Sequence, residues 1–206
     1  MKSEIVDKKA IVFGLDDVLF PEKDYLLQVY YLFSEFMGYT EQMDSSKLLE
    51  LMTAVYQEWG SKYVFEKAAE RFPILPKYQE NFNLLHQNAR LPLKLLLYAN
   101  VLSLLQTLVV DRKEILLLID GDPVQQINKI KQMEWHGLEQ HLKVYFTTEF
   151  EPKPSSSSFD FILQAHQLNR EEVLLVGNSA EDREYAVVLG VKYFSIQEIL
   201  SPVFRY

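Results

Sequence analysis

Lys9–Phe20 reads KAIVFGLDDVLF, and this stretch decides the fold. Ala10 to Phe13 is a short apolar run with β-branched Ile11 and Val12, bounded by charge before it and by Gly14 after it. Such a run reads as a buried strand entering a turn. Two acids, Asp16 and Asp17, follow at its carboxyl end. In open α/β sheets the carboxyl ends of the strands are where ligands bind. The stretch is thus both the first strand and the first candidate piece of a site.

Further along, the same pattern recurs. Glu114–Ile119 (EILLLI) is a continuous apolar run ending in Asp120-Gly121-Asp122-Pro123, which reads as a fully buried strand and a turn. Val144–Phe146 is a short strand, Glu172–Val176 ends at Gly177-Asn178-Ser179, and Val191–Ser195 is the last strand. Helical patterns at Leu93–Val109, Val124–Met133, Phe159–His166 and Glu181–Leu189 lie between them, the last capped by Gly190. Strands alternating with helices predict an α/β fold, a Rossmann-like doubly wound parallel sheet.

Between the first two strands the character differs. Leu26, Val29, Tyr30, Phe33 and Phe36-Met37 recur at helical spacing, and Gly38 fits the end of that helix. Ser45–Trp59, Ser61–Phe72 and Tyr78–Gln87 give three more helices, the second of these stopped by Pro73 and Pro76. Pro21 to Arg90 carries no strand signal. Such a block suits a helical insertion lying over a site on a sheet. The expected division is a core of residues 1–20 and 91–206 with a helical cap of residues 21–90.

Composition narrows the function. The chain has 206 residues, 48% hydrophobic and 24% charged, enough for a full core. Its formal net charge of -8 and pI near 5.1 argue against nucleic acid and anionic membranes as partners. The absence of cysteine removes disulfides, thiolate nucleophiles and thiolate zinc sites together. The start, MKSEIVDKKA, lacks the apolar core of a signal peptide, and Pro92, Lys94, Asn100 and Gln106 interrupt the richest apolar stretch. A cytoplasmic protein with no membrane span is expected. The four histidines show no metal-ligand spacing.

The strand ends resemble, in order, the four motifs of the haloacid dehalogenase-like (HAD) hydrolases. The first motif in that family is a strand followed by Asp-x-Asp-x-Thr or Val; here it is Gly14-Leu15-Asp16-Asp17-Val18, with Gly14 at the nucleophile's position. The second ends in Thr-Asn-Gly; here Ile119-Asp120-Gly121 stands there. The third supplies a lysine, matched by Lys153 in EPKPSSSSFDF, and the fourth, Gly-Asp-x-x-x-Asp, is matched by Gly177, Asn178 and Asp182. The helical block looks like the family's small helical cap. The resemblance implies that Asp16 and Lys153 hold the catalytic positions. It puts Ile119, Asp120, Gly121 and Lys153 at the substrate's transferring group, and Asn178 and Asp182 at the metal. It implies Mg²⁺ as cofactor, with weak or absent binding because Gly14 and Asn178 replace carboxylates. The partner it implies is a small phosphorylated molecule or a protein.

Each residue also has a plainer reading. Asp16 and Asp17 are turn residues that can cap the following backbone, and Asp120 and Asp122 flank Gly121 in another turn. Lys153 either binds an anion or pairs with Asp16 or Asp182. Asp182 lies in the first turn of a helix, where the dipole favours a carboxylate without any ligand. Three functional expectations follow. One is a catalytically degenerate family member kept as a binding or regulatory module. The second is an active Mg²⁺-dependent phosphatase with rerouted chemistry, Asp16 activating water. The third is an interaction protein whose cleft is filled.

Overall fold

The computed structural model describes residues 2–201. Among the described residues seven strands occur in chain order: β1 (Ala10–Phe13), β2 (Leu95–Leu96), β3 (Glu114–Ile119), β4 (Met133–Glu134), β5 (Leu142–Phe146), β6 (Val173–Gly177) and β7 (Lys192–Ser195). Five of them form one parallel sheet in the order β5-β3-β1-β6-β7. Numbered by sequence within the sheet this is 3-2-1-4-5, the doubly wound order expected from alternating strands and helices. β1 occupies the centre, with Phe13 opposite Leu117 on one side and Val176 on the other.

Ten helices accompany the strands among the described residues. They are α1 (Lys2–Val6), α2 (Glu22–Glu41), α3 (Ser45–Trp59), α4 (Val64–Arg71), α5 (Tyr78–Asn88), α6 (Ala99–Val110), α7 (Pro123–Gln132), α8 (Ser157–His166), α9 (Ala180–Leu189) and α10 (Ile196–Leu200). Ala10, Val12, Leu116, Leu118, Val173 and Leu175 turn one face of the sheet into a core with Phe159, Ile162 and Leu163 of α8 and Ala186 and Leu189 of α9. Ile11, Phe13, Ile115, Leu117, Leu174 and Val176 are buried too. The pleat sends them to the opposite face, and α6 packs there against β3. Apolar residues at every position of these strands are what a sheet covered on both faces requires.

The chain divides into two compact units. One comprises residues 1–21, 96–123 and 133–206 and holds the sheet. The other comprises residues 22–95 and 124–132 and is built from helices, aromatic-rich inside. Phe82 is its hub, with ring centroids of His86, Phe33 and Phe65 at 4.6, 5.1 and 5.5 Å. The expectation that residues 124–132 belong with the core needs correction, because α7 contributes them to the helical unit. The reason is polar: Lys129, 1% exposed, reaches Glu22 Oε1 at 3.2 Å and lies 4.8 Å from the centre of the Tyr25 ring. Asn128 and Gln132 donate to the Ala89 carbonyl, and Gln132 accepts from the Leu91 amide.

Two helix boundaries also differ. α2 continues through Gly38 to Glu41. A Cβ at Gly38 would stand 3.2 Å from Ser45 Cβ, so this glycine serves a close approach rather than a stop. Residues 93–98, expected to open α6, are not helical. Their amides go to tertiary partners instead, Leu93 to Gln28 Oε1 and Tyr98 to the Leu19 carbonyl. No described helix is long and apolar enough to cross a membrane.

The aromatic interior of the helical unit sets a pH dependence. Burial, with a smaller contribution from the Lys129 cation, pushes the His86 imidazole down to about 4. An unfolded imidazole titrates near ~6.5. Between those values the unfolded chain takes up a proton that the folded chain refuses, so stability falls as pH is lowered through that window. Urea midpoints should therefore drop between pH 7 and pH 5, and His86→Phe should shrink that drop. Equal drops in both proteins would assign the acid sensitivity to other groups.

Candidate active site

Four strand ends and one loop of the sheet-bearing unit supply the candidate site residues. After β1 the chain makes a tight turn: Leu15 accepts from the amides of Val18 and Leu19, and the Asp17 amide donates to the Phe20 carbonyl at 3.0 Å. Leu15, Val18, Leu19 and Phe20 are buried, which fastens the turn to the core. Asp16 is half-buried and bridges to Phe20 through its backbone, and Asp17 takes φ of 55°. The Gly14 amide donates to the Val176 carbonyl at 3.3 Å, which ties the end of β1 to β6. A Cβ added to Gly14 would meet only Val18, with Cγ2 at 3.2 Å.

β3 and β5 deliver the second group. Their register pairs Ile119 with Phe146, so the residues that follow, Asp120 and Thr147, come side by side. Thr147 donates its hydroxyl to Asp120 Oδ1 at 2.6 Å. The other oxygen of Asp120 takes Lys153 Nζ at 2.6 Å. Ile119 is 2% exposed, a core side chain without any polar group.

Lys153 gathers the rest. Its ammonium stands 4.0 Å from Asp182 Oδ1 and 4.7 Å from the centre of the Tyr185 ring. Tyr185 is buried and fixed through its hydroxyl, which shares a hydrogen bond with Ser158 and donates to the Ser155 carbonyl at 3.1 Å. The lysine thus links the ends of β3 and β6, the two strands that flank β1. Of the sequence expectations for its partner, Asp182 is met at the limit of an ion pair. The closer partner is Asp120.

The fourth motif is organised by backbone demands. Ser179 and Asp182 form a reciprocal capping box at the start of α9. Asp182 Oδ2 accepts from the amides of Asn178 and Ser179 at 3.0 and 3.1 Å, and Ser179 Oγ accepts from the Asp182 amide at 3.0 Å. A carboxylate there satisfies amides that the first helical turn leaves without partners. Gly177 is required by this arrangement, since a Cβ on it would lie 2.6 Å from Asp182. Asn178 Oδ1 accepts from Gln197 Nε2 at 2.8 Å. Among the described residues, no group of three or more His, Asp or Glu side chains is placed to hold a metal ion.

Sequence reasoning missed Thr147, Tyr185, Ser179 and Gln197. Ser179 had a signal, the Ser-x-x-Asp capping box at the start of a helix. Thr147 and Tyr185 had none, because their roles follow from strand register and from the lysine's path.

The Asp182 cap is testable. Asp182→Ala should cost about 1–2 kcal/mol in urea denaturation, as loss of an N-terminal cap does. The loss should be the same with Mg²⁺ or with a chelator in the buffer. A loss that appears only with Mg²⁺ present would make Asp182 a metal ligand first and a cap second.

Residues 11–196 match the family model described as haloacid dehalogenase-like hydrolase. No curated protein matches the chain. A solved hydrolase from Streptococcus pneumoniae TIGR4 superposes with a TM-score of 0.56 at 14% identity, over 91% of this chain and 92% of that one. The UTR4 protein of Saccharomyces cerevisiae gives 0.56 at 15%, over 90% and 89%. The L-2-haloacid dehalogenase of Xanthobacter autotrophicus, solved with chloropropionic acid covalently bound, gives 0.52 at 14%, over 90% and 76%. At such identities the structural likeness is one of fold. The family match spans most of the chain and runs from β1 into α10, and on it the chain belongs to the haloacid dehalogenase-like hydrolases.

Proposed function

We propose that this chain is a family member whose hydrolytic chemistry has lapsed and which serves as a binding or regulatory module. The observation that carries the reading is Gly14 at the end of β1, where the resembling motif has its nucleophilic aspartate. A covalent intermediate needs a carboxylate at that point, and a glycine has no side chain to offer.

The other family positions agree with it. Ile119 is buried and has no hydroxyl to donate to a transferring group. The family generally uses Mg²⁺, a hard cation that wants several oxygen ligands in near-octahedral geometry. The donors here do not fit it. Gly14 contributes no side-chain oxygen, and Asn178 has its amide oxygen occupied by Gln197. Asp182 commits one oxygen to two backbone amides, and its other oxygen faces the Lys153 ammonium. A cation would have to displace partners at both Asn178 and Asp182.

The expected outcome is negligible phosphate release from an aryl phosphate with Mg²⁺ present. Gly14→Asp alone should fold, since its Cβ would press only on Val18, yet it should restore little. The triple change Gly14→Asp, Ile119→Thr, Asn178→Asp should exceed the three single changes combined, because groups that act as a unit are not additive. Wild-type turnover near the enzyme median of about 10 per second would defeat the reading and reveal another working nucleophile.

A further inference from the structure

The resemblance places Asp120 beside the substrate's transferring group, but its carboxylate is turned to Lys153 and Thr147, a role the motif reading does not assign. We propose that its carboxylate is a built-in oxyanion, which occupies Lys153 and thereby bars phosphate from the site. This deepens the lapsed-hydrolase reading, on which it rests for the location of the site, and concerns which charge the site admits.

The geometry is that of a tethered ligand. One oxygen of Asp120 meets Lys153 Nζ at 2.6 Å and the other meets the Thr147 hydroxyl at 2.6 Å. A cationic donor and a hydroxyl donor converging on two oxygens of one group is how a protein would hold the oxygens of a phosphate or carboxylate. Here the chain supplies the oxyanion itself. Its position is fixed by the sheet: Ile119 pairs with Phe146, which brings Asp120 beside Thr147, and Thr147 is buried. Lys153 is held from the other side by the Tyr185 ring at 4.7 Å, with Asp182 at 4.0 Å.

Tethering decides the competition. A group carried on the same chain acts at an effective concentration on the order of millimolar or above. A free phosphate must exceed that to displace Asp120, and it also meets the negative charge of Asp182. The site in its resting state therefore repels the class of ligand that the family's lysine would attract. Losing the negative charge while keeping the shape should reverse this, since a neutral amide gives up the ion pair with Lys153 and keeps a single accepting oxygen for two donors.

Calorimetric or NMR titration with inorganic phosphate is the test, since it reads binding and is independent of turnover. Wild type should show no saturation below about 10 mM, a level set by the effective concentration of the tether. Asp120→Asn should bind phosphate at least tenfold more tightly. Thr147→Val, which removes the carboxylate's second anchor, should gain a smaller amount. Adding Lys153→Ala to Asp120→Asn should abolish the gain. Asp122→Asn removes a nearby charge from the same turn and should gain less than threefold. Equal gains in Asp120→Asn and Asp122→Asn would reduce the effect to general charge and overturn the proposal, as would tight binding by the wild type. A gain in Asp120→Asn without any phosphatase activity supports the proposal and leaves the lapsed-hydrolase reading standing. Tight phosphate binding by a wild type that turns over no phosphate ester would overturn the charge gate and leave the lapsed-hydrolase reading standing, whereas turnover of a phosphate ester by the wild type would sink both.

Discussion

β1 is paired along both edges and buried over all four of its residues, and every other feature of the sheet-bearing unit is set from it. Its parallel register with β3 and β6 fixes where those strands end. Their ends in turn fix where Gly14, Asp120 and Gly177 emerge. A one-residue slip would turn the apolar set of a strand to the other face. With both faces packed that would still be buried, but the side chains would no longer match their neighbours in size. The short turn from Gly14 to Phe20 adds to the constraint, because four of its apolar side chains are buried as well.

Polar groups at the carboxyl ends of the strands have been partnered with one another. Lys153 is given to Asp120, Asn178 to Gln197, and Asp182 to the amides at the head of α9. Each pairing is of a kind found in any well-made turn or helix start. Asp182 illustrates how a residue at a motif position has a structural reason to be there. Its carboxylate is needed by two backbone amides whether or not any reaction occurs.

Much of this was legible in the sequence. The continuous apolar runs at Ala10–Phe13, Glu114–Ile119 and Val173–Gly177 announce strands covered on both faces, and the helical block after Pro21 carries its aromatic period openly. Asp182 was readable as a first-turn acid. What stayed hidden depends on register. Asp120 and Thr147 are 27 residues apart and meet only because β5 lies beside β3 with Ile119 opposite Phe146. Lys129 was hidden for another reason: in VQQINKIKQM a lysine reads as solvent-facing, and contacts such as those with Glu22 and the Tyr25 ring make its burial tolerable.

The helical unit is not one continuous piece of chain, since residues 124–132 belong to it as well as residues 22–95. A grafting experiment would meet this at once. Exchanging residues 21–90 for the corresponding block of a relative would look like a cassette swap, but it would leave Lys129 behind with neither Glu22 nor Tyr25, and Gln132 without the Ala89 carbonyl. Removing one partner of a buried ion pair costs roughly 3–5 kcal/mol, enough to unfold many domains. A transplantable module must carry both segments. For the same reason, drift in the helical insertion is tied to drift in residues 124–132, downstream of residue 95 where its first segment ends, and the two can be remodelled only together.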